Sequence, residues 1–380
     1  MVTIAVTAEP EEETRVAVSP DTVKKLVAAG CKVRIESDAG ARSRFTDDAY
    51  AAQGAEIVAS RADALKGADA LLGVRRPSNE DIAALAPGAV VVAMLDPFGD
   101  RGELEALAGT KAKLFTMEFM PRTTRAQSMD VLSSQANLAG YKAVVDAASE
   151  FGAAVPMMMT PAGTVPAAKA FIMGVGVAGL QAIATARRLG AIVTATDVRP
   201  ATKEQVQSLG AKFIAVEDEE FQQAQTAGGY AKEMSAEYKT KQAELVAKHV
   251  TAQDMVITTA LIPGRPAPTL ITADMVSKMK PGAVIVDLAA ERGGNCELTK
   301  PGETIVTDNG VTIVGPINYA GTVPVNASSL YARNLLSFVS LMINKDDGTL
   351  DINWDDDIIQ GTLLAKDGAL VHPNLTQQAA

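Results

Sequence analysis

Three glycines stand at the spacing Gly174-x-Gly176-x-x-Gly179, directly after a short apolar run and at the start of a helical pattern. The first glycine permits a tight turn, the second lets the backbone approach a pyrophosphate, and the third allows close packing of helix against strand. Phosphate groups bind at such a helix N-terminus because its first N–H groups have no partner within the helix. The spacing therefore predicts a dinucleotide-binding turn. The alternative is a tight turn in an α/β domain that binds no ligand.

An acidic side chain follows the next predicted strand. The run from Ile192 ends in Asp197, about 20 residues past the glycines, where dinucleotide-binding domains carry the carboxylate that accepts the ribose hydroxyls. The charge of Asp197 repels a 2′-phosphate, so this position favours NAD over NADP. Arg199 weakens the preference, because a guanidinium attracts a phosphate group.

A polar segment at residues 117–137 leads into a long helical pattern. Its polar members include Arg122, Gln127, Asp130 and Ser133. Such groups offer directed hydrogen bonds that suit a nicotinamide carboxamide and its ribose, but they offer little for proton transfer near neutral pH. The alternative is a capped helix start, with Ser128 or Asp130 near the N-cap. It explains one or two of these residues but not Arg122, Gln127 and Ser133 together.

A glycine pair directly precedes a tyrosine, at Gly228-Gly229-Tyr230, within a small and polar stretch. Paired glycines give the backbone freedom to swing, and Tyr230 offers an apolar ring with a polar tip that suits a bound nucleotide. The stretch predicts a lid. A flexible surface insertion with an incidental tyrosine is the alternative.

Alternating strand and helix patterns must position these groups. The first series of predicted strands covers residues 3–6, 31–36, 70–74, 89–94 and 113–119, and the second covers 169–173, 192–198, 213–216, 255–260, 283–288 and 311–314. Helical patterns lie between the strands, and two longer ones cover residues 129–151 and 327–343. This alternation predicts a parallel sheet in each series.

The predicted fold class is therefore α/β, with two Rossmann-like doubly wound parallel-sheet domains joined by long helices. The first domain is discontinuous and consists of residues 1–132 and 322–380, because the C-terminal segment is expected to rejoin it. Residues 133–321 form the NAD-binding domain. The cofactor is expected in the interdomain cleft.

The composition excludes several classes of protein. The chain has 380 residues, of which 47% are hydrophobic, so it can bury two cores of ordinary size. Its 35 basic and 45 acidic residues give a net charge of −10, which provides no long-range attraction for nucleic acid. The sequence has no uninterrupted apolar run of membrane-spanning length and no secretory signal, which predicts a cytoplasmic protein. Two cysteines are too few for a zinc site or a disulfide framework, and two histidines leave little imidazole for catalysis.

Taken together, the motifs resemble the NAD(H)-binding domain I of proton-translocating nicotinamide nucleotide transhydrogenase, in the bacterial form in which it is a separate alpha-1 subunit. The resemblance covers essentially the whole chain, and its most specific parts are PRTTRAQSMDVLSSQANLAGYKAV, MMMTPAGTVPAAKAFIMGVGVAGLQAIATARRLGA, TAGGYAKEM and ITTALIPGRPAPTLIT. It implies contacts with the nicotinamide end for one group of residues and contacts with the rest of the dinucleotide for a second. The first group is Arg122, Gln127, Asp130 and, close by, Ser133. The second is Val177, Ala178, Gly179, Asp197, Val198, Arg199 and Tyr230, with further contacts from Gly229, Gln242 and Leu261.

The resemblance also implies an activity and partners. It implies that the chain binds NAD(H) and transfers a hydride directly from NADH to NADP⁺ held on an NADP(H)-binding beta subunit. A membrane-spanning subunit couples this reaction to proton movement, and domain I is a homodimer in this family. The chain is then expected to be cytoplasmic and peripheral to the inner membrane through its complex.

Alanine dehydrogenase shares the two-domain plan and is the main alternative, as an oxidoreductase of an amino or oxo acid. The pattern around Glu13 and Arg15 resembles both families, and Arg15 aligns with the arginine that binds the substrate carboxylate. The catalytic lysine, catalytic histidine and later active-site aspartate fall at Arg75, near Asp96 and at Glu291. Arginine does not readily release a proton, whereas hydride transfer between two nicotinamide rings needs positioning and moves no proton to either ring. A non-enzymatic NAD-sensing module is a further alternative, which needs no nicotinamide-orienting loop.

Overall fold

Parallel strands connected by helices build two main sheets, each in its own unit of the chain. The computed structural model describes residues 1–222, 234–344 and 347–376. Unit 1 consists of Met1–Gln135 and Ala320–Ala380, and unit 2 consists of Ala136–Tyr319. Each unit has its own hydrophobic core.

The strands are numbered along the chain. They are β1 (Thr3–Val6), β2 (Lys32–Glu36), β3 (Glu56–Val58), β4 (Ala70–Leu72), β5 (Val90–Ala93), β6 (Lys113–Thr116), β7 (Met158–Thr160), β8 (Gly163–Val165), β9 (Lys169–Met173), β10 (Ile192–Thr196), β11 (Lys212–Phe213), β12 (Met255–Thr258), β13 (Val284–Asp287), β14 (Thr304–Val306), β15 (Thr312–Val314), β16 (Leu363–Lys366) and β17 (Ala369–Leu370).

The helices follow the same numbering. They are α1 (Pro20–Ala28), α2 (Asp47–Ala51), α3 (Arg61–Leu65), α4 (Asn79–Ala83), α5 (Arg101–Ala108), α6 (Val131–Glu150), α7 (Val177–Arg188), α8 (Thr202–Ser208), α9 (Glu219–Gln222), α10 (Ala236–Val250), α11 (Ala273–Ser277), α12 (Pro324–Val339), α13 (Asp357–Thr362) and α14 (Pro373–Thr376). Short 3-10 helices cover Ala41–Ser43, Met117–Phe119, Gln127–Met129, Ala290–Arg292 and Tyr319–Thr322. Within the described ranges, no helix combines the length and apolar character needed to cross a membrane.

The sheet of unit 1 has the strand order β17-β16-β6-β5-β4-β1-β2-β3. Strands β1 to β6 run parallel, whereas β16 is antiparallel to β6 and β17 is antiparallel to β16. Ile4 of β1 stands opposite Val33 on one side and Ala70 on the other, so the winding direction reverses at β1. Strands β4 and β5 are buried along their whole length, as expected of parallel strands covered on both faces.

The sheet of unit 2 has the order β11-β10-β9-β12-β13-β15-β14, with only β14 antiparallel to its neighbour. Strand β9 pairs with both β10 and β12, so the winding direction reverses between these strands. Ligands of doubly wound sheets bind beyond the carboxyl ends of the strands at such a reversal. Strands β7 and β8 form a separate antiparallel pair whose residues are all exposed.

Several elements end earlier than the sequence pattern predicts. The strand predicted at residues 113–119 ends at Thr116, because Met117–Phe119 form a 3-10 helix. The strand predicted at 192–198 ends at Thr196, where the next side chain, Asp197, accepts a backbone hydrogen bond from Val175 instead. The two long helices lie at Val131–Glu150 and Pro324–Val339, and the second begins with proline at its first position, which suits the fixed φ of that residue.

Candidate functional site

The glycine turn of unit 2 joins β9 to α7, at the reversal of the sheet. Gly174 has φ of +98°, and a Cβ on Gly179 would lie 1.9 Å from the Gly174 carbonyl oxygen, so both positions require glycine. A Cβ on Gly176 would meet no atom within 4 Å. The backbone at Gly176 is therefore open to a ligand at the N-terminus of α7, a 12-residue helix. This arrangement fits a dinucleotide pyrophosphate.

The carboxylate of Asp197 accepts four hydrogen bonds beside this turn. Its Oδ2 accepts from the Val175 backbone N–H at 2.7 Å and from Arg199 Nη2 at 2.9 Å, while its Oδ1 accepts from the backbone N–H and Nε of Arg199, both at 2.9 Å. Hydrogen bonds to Asp197 raise the pKa of the Arg199 guanidinium. Arg199 therefore neutralises the carboxylate and competes for the lone pairs that ribose hydroxyls would use.

A second loop of unit 2 reaches the glycine turn from the end of β12. Thr259 Oγ1 donates to the Gly174 carbonyl at 3.0 Å. Asn295 holds the loop through its whole amide: Oδ1 accepts from the Ala260 N–H at 2.9 Å, and Nδ2 donates to the carbonyls of Ala260 at 2.9 Å and Pro268 at 2.8 Å. The predicted contact residue Leu261 lies next in this loop and is 52% exposed.

The remaining predicted residues of unit 2 differ in how they are used. The Gln242 side chain accepts from the Val216 N–H at 2.9 Å and donates to Thr196 Oγ1 at 3.2 Å, so it ties α10 to the strand ends. The side chains of Val177 and Val198 are exposed. Exposed aliphatic residues beside a glycine turn suit the apolar faces of a nucleotide.

Gly140 is a positioning feature that the sequence pattern did not single out. It lies in α6, and a Cβ at this position would come within 2.1 Å of the Ala178 carbonyl oxygen in the first turn of α7. Only glycine allows the two helices of unit 2 to approach this closely. An isolated glycine inside a long helical pattern was the available signal.

The nicotinamide loop, defined here as residues 121–130, lies in unit 1. Arg122 and Gln127 are exposed on it. Asp130 caps helix α6, because its Oδ1 accepts from the Ser133 backbone N–H at 2.9 Å and its Oδ2 accepts from Ser133 Oγ at 2.5 Å. The capped helix start considered as an alternative is thus present for Asp130 and Ser133, and it does not account for Arg122 or Gln127.

A bidentate ion pair fixes the middle of the nicotinamide loop. Arg125 donates from Nη1 and Nη2 to the two carboxylate oxygens of Asp356, at 2.7 and 2.6 Å, and also pairs with Asp357. Hydrogen bonding to Arg125 holds the pKa of Asp356 at about 2. Asp356 also caps α13, so the loop is connected to a helix of the same unit.

The position that resembles a substrate arginine is occupied by partners within unit 1. Arg15 is buried, and its Nε and Nη2 donate to the two oxygens of Glu13 at 2.8 and 2.7 Å. Arg75 donates from Nε to Glu13 at 2.7 Å. Burial alone would raise the pKa of Glu13, but the hydrogen bonds of Arg15 and the charges of Arg15 and Arg75 lower it to about 2.

The other two positions of the alanine dehydrogenase comparison carry no imidazole or lysine. Asp96 has φ of +48°, and its backbone N–H donates to Glu118 at 2.8 Å. Glu291 lies in unit 2, where it accepts a hydrogen bond from the Asn318 backbone. Gly229 and Tyr230, and with them the predicted lid, lie outside the described residues.

Two models of protein families match the chain over nearly its whole length. "Alanine dehydrogenase/PNT, N-terminal domain" matches residues 5–139, and "Alanine dehydrogenase/PNT, C-terminal domain" matches residues 143–373. Two Rossmann-like units with a dinucleotide turn in the second are consistent with this class. The chain therefore belongs to the alanine dehydrogenase/PNT family.

Individual relatives divide that family further. An NAD(P) transhydrogenase subunit alpha of Rhodospirillum rubrum is 55% identical over 373 residues, which cover 97% of both chains. The solved structure of a transhydrogenase from Sinorhizobium meliloti is 54% identical, with a TM-score of 0.88 over 97% of this chain and 100% of that one. An alanine dehydrogenase of Halomonas elongata is 29% identical over 95% of this chain and 92% of its own length. These similarities group the chain with NAD(P) transhydrogenase alpha subunits.

Proposed function

We propose that this chain binds NAD(H) and passes a hydride directly between NADH and NADP⁺ bound on a partner subunit. The observation that carries the proposal is the 55% identity over 97% of both chains with an NAD(P) transhydrogenase alpha subunit. In the reaction, C4 of the reduced nicotinamide loses a hydride and C4 of the oxidised nicotinamide gains it, so the products are NAD⁺ and NADPH. Neither ring gains or loses a proton.

We assign the binding of the diphosphate and adenosine portions to unit 2. The glycine turn and the first N–H groups of α7 suit the diphosphate, and Asp197 suits the adenosine ribose once Arg199 releases some of its hydrogen bonds to the carboxylate. The exposed aliphatic side chains of the two loops suit the apolar surface of the nucleotide. These are Val177, Val198 and Leu261. Ala178, Gln242, Gly229 and Tyr230 complete the proposed set.

We assign the orientation of the nicotinamide to the loop of unit 1. Gln127 can donate to and accept from a carboxamide, and Arg122 is a fixed donor. Asp130 and Ser133 hold the start of α6 through their mutual hydrogen bonds and remain partly exposed. None of these groups has to exchange a proton for hydride transfer, which depends on distance and angle between the two rings.

The partners follow from the same proposal. We propose that NADP(H) is bound by a beta subunit, that a membrane-spanning subunit couples the reaction to proton movement, and that two copies of this chain form a homodimer. The chain is then cytoplasmic and peripheral to the inner membrane through these subunits. The names of the alpha-subunit relatives support the existence of partner subunits.

Mixing the purified chain with an NADP(H)-binding beta subunit tests the proposal. We expect hydride transfer from NADH to an NADP⁺ analogue whose reduced form has a distinct absorbance, and no transfer when either protein is left out. The chain alone should bind NADH in calorimetry. Alanine-dependent reduction of NAD⁺ by the chain alone, or the absence of transfer with the partner, contradicts the proposal.

The Gln127→Asn variant tests the assignment of the nicotinamide loop. The shorter amide keeps its chemistry but withdraws it by one methylene, so we expect the NADH dissociation constant to change little and the rate of hydride transfer to fall roughly ten- to a hundredfold. Stopped-flow measurement with the beta subunit gives the rate. Gln207→Asn, on the exposed face of α8 in unit 2, is the matched control. An unchanged rate would remove Gln127 from the proposed site.

A further inference from the structure

A buried hydrogen-bond chain runs through unit 1 from Arg15 to helix α6. Arg15 Nη1 donates to Gln135 Oε1 at 3.0 Å. The amide nitrogen of Gln135 donates to the Ala327 carbonyl of α12 and to Ser134 Oγ, both at 3.2 Å. Arg15 and Gln135 are both buried, at 4% and 7% exposure, so these polar groups depend on one another for partners.

The chain of hydrogen bonds continues from α6 to the nicotinamide loop through one side chain of α12. Ser134 Oγ donates to Asn334 Oδ1 at 2.7 Å, and Asn334 Nδ2 donates to the Ser128 carbonyl at 2.8 Å. A carbonyl can only accept, so the amide of Asn334 has a defined orientation. Asn334 is 7% exposed, and both ends of its amide are used.

We infer that Asn334 is a positioning residue for hydride transfer, acting through the Ser128 carbonyl on the loop that presents Gln127. This inference rests on the proposed function. Ser128 directly follows Gln127 in the 3-10 turn Gln127–Met129, so a shift of its carbonyl changes the direction of the Gln127 side chain. The other anchor of the loop, the pair of Arg125 with Asp356, is exposed on the arginine side.

The position of the network explains why its effect should appear in the rate rather than in affinity. The proposed diphosphate and adenosine contacts all lie in unit 2, whereas every residue from Arg15 to Ser128 lies in unit 1. Loss of the Asn334 contact therefore leaves the main binding groups in place and loosens only the loop assigned to the nicotinamide. Arg15 contributes to the same loop through Gln135 and Ser134, with no need for a substrate carboxylate.

Asn334→Asp is the variant of choice, because it keeps the shape of the side chain. The retained oxygen still accepts from Ser134, but the second oxygen faces the Ser128 carbonyl and repels it. We expect the stopped-flow rate of hydride transfer with the beta subunit to fall roughly ten- to a hundredfold, with the NADH dissociation constant within about threefold of that of the parent chain. Asn79→Asp, an exposed position in the first turn of α4, makes the same change of charge away from the loop and should leave both values unchanged.

The outcomes separate this inference from the proposed function. If the parent chain fails to transfer a hydride with the beta subunit, the proposed function is wrong. If the parent chain transfers a hydride and folded Asn334→Asp does so at the same rate, or loses rate and NADH affinity in equal proportion, the positioning role is wrong. Should the Asp variant not fold, Ser134→Ala decides. It removes one hydrogen bond from a half-buried site and should slow transfer about threefold, and an unchanged rate would overturn the inference.

Discussion

At the scale of single residues, the contact between Asp197 and Arg199 controls which dinucleotide the turn accepts. A bare carboxylate at this position accepts ribose hydroxyls and repels a 2′-phosphate. Here the guanidinium donates to both carboxylate oxygens, and the backbone N–H groups of Val175 and Arg199 take two further positions. The side chain that suits a phosphate is therefore the one that weakens the carboxylate.

Arg199→Ala should increase the preference for NADH over NADPH. Without the guanidinium, Asp197 regains its charge and two acceptor positions, so we expect the ratio of the NADPH to the NADH dissociation constant to rise about tenfold. Calorimetric titration of both nucleotides measures the ratio. Arg188→Ala, an exposed arginine in the last turn of α7, removes the same charge and should not alter it. A ratio that stays constant in Arg199→Ala argues against competition for Asp197.

Which site residues can be recognised from sequence depends on how local their reason is. The glycine positions follow from backbone requirements within six residues, and the structure gives each of them a steric reason. Asn295 and Asn334 are held by contacts with residues 27 to 206 positions away, so no spacing rule indicates them. The pairing of Asp130 with Ser133 was visible as a helix cap, yet its presence does not exclude a second role at the cofactor.

At the scale of elements, the ends of β1 and β4 are joined by one carboxylate. Glu9 accepts from the backbone N–H groups of Val74 at 2.6 Å and Arg75 at 3.1 Å, just beyond β4. Burial raises the pKa of Glu9 to about 7, although these two hydrogen bonds lower it. The connection between the two strands therefore contains a group that titrates near neutral pH.

Glu9→Gln should change how the stability of unit 1 depends on pH. The pKa of Glu9 is about 7 in the folded unit against 4.5 ordinarily, so its proton stabilises the folded state fully below pH 4.5 and this contribution is lost as the pH rises through 7. Relative to Glu9→Gln, the parent chain should lose up to roughly 3 kcal/mol of unfolding free energy across this range.

Urea unfolding followed by the fluorescence of Trp354 provides the measurement. This is the single tryptophan of the sequence, and it lies in unit 1 stacked against Phe115. Glu11→Gln, an exposed carboxylate two residues further on, serves as the control and should show no such trend. A difference between parent and Glu9→Gln that is the same at pH 5 and pH 8 would show that Glu9 does not titrate in this range.

The strands most visible in the sequence are the buried parallel ones. Runs such as Val90–Ala93 and Val284–Asp287 are buried along their whole length and stand out as apolar segments. The strands that the pattern did not indicate are short and partly exposed, as in Thr304–Val306 and Ala369–Leu370. Their pairing at or near a sheet edge, and not their composition, makes them strands, so they require the rest of the sheet to be known.

At the scale of the whole molecule, the two sheets repeat one winding order but differ at the first turn. In unit 1 the winding reverses between β1 and β4, and in unit 2 between β9 and β12. The turn after β9 has the glycines that open the backbone to a phosphate. The turn after β1 has Ala8, Glu9 and Pro10 instead, and the Glu9 carboxylate occupies the backbone amides beyond β4. The same fold thus offers an anion site in one unit and supplies its own anion in the other.

This difference predicts that a fragment of residues 136–319 folds and binds NADH without unit 1. Its two hydrophobic clusters consist entirely of residues from unit 2, and the glycine turn, Asp197 and Asn295 are all included. We expect cooperative unfolding by circular dichroism and NADH binding in calorimetry that is roughly tenfold weaker, because the nicotinamide loop is missing. Hydride transfer with a beta subunit should be lost. Gly179→Ala in the same fragment is the control, since its Cβ would lie 1.9 Å from the Gly174 carbonyl oxygen and should abolish binding. A folded fragment that binds no NADH would mean that unit 2 does not carry the main affinity.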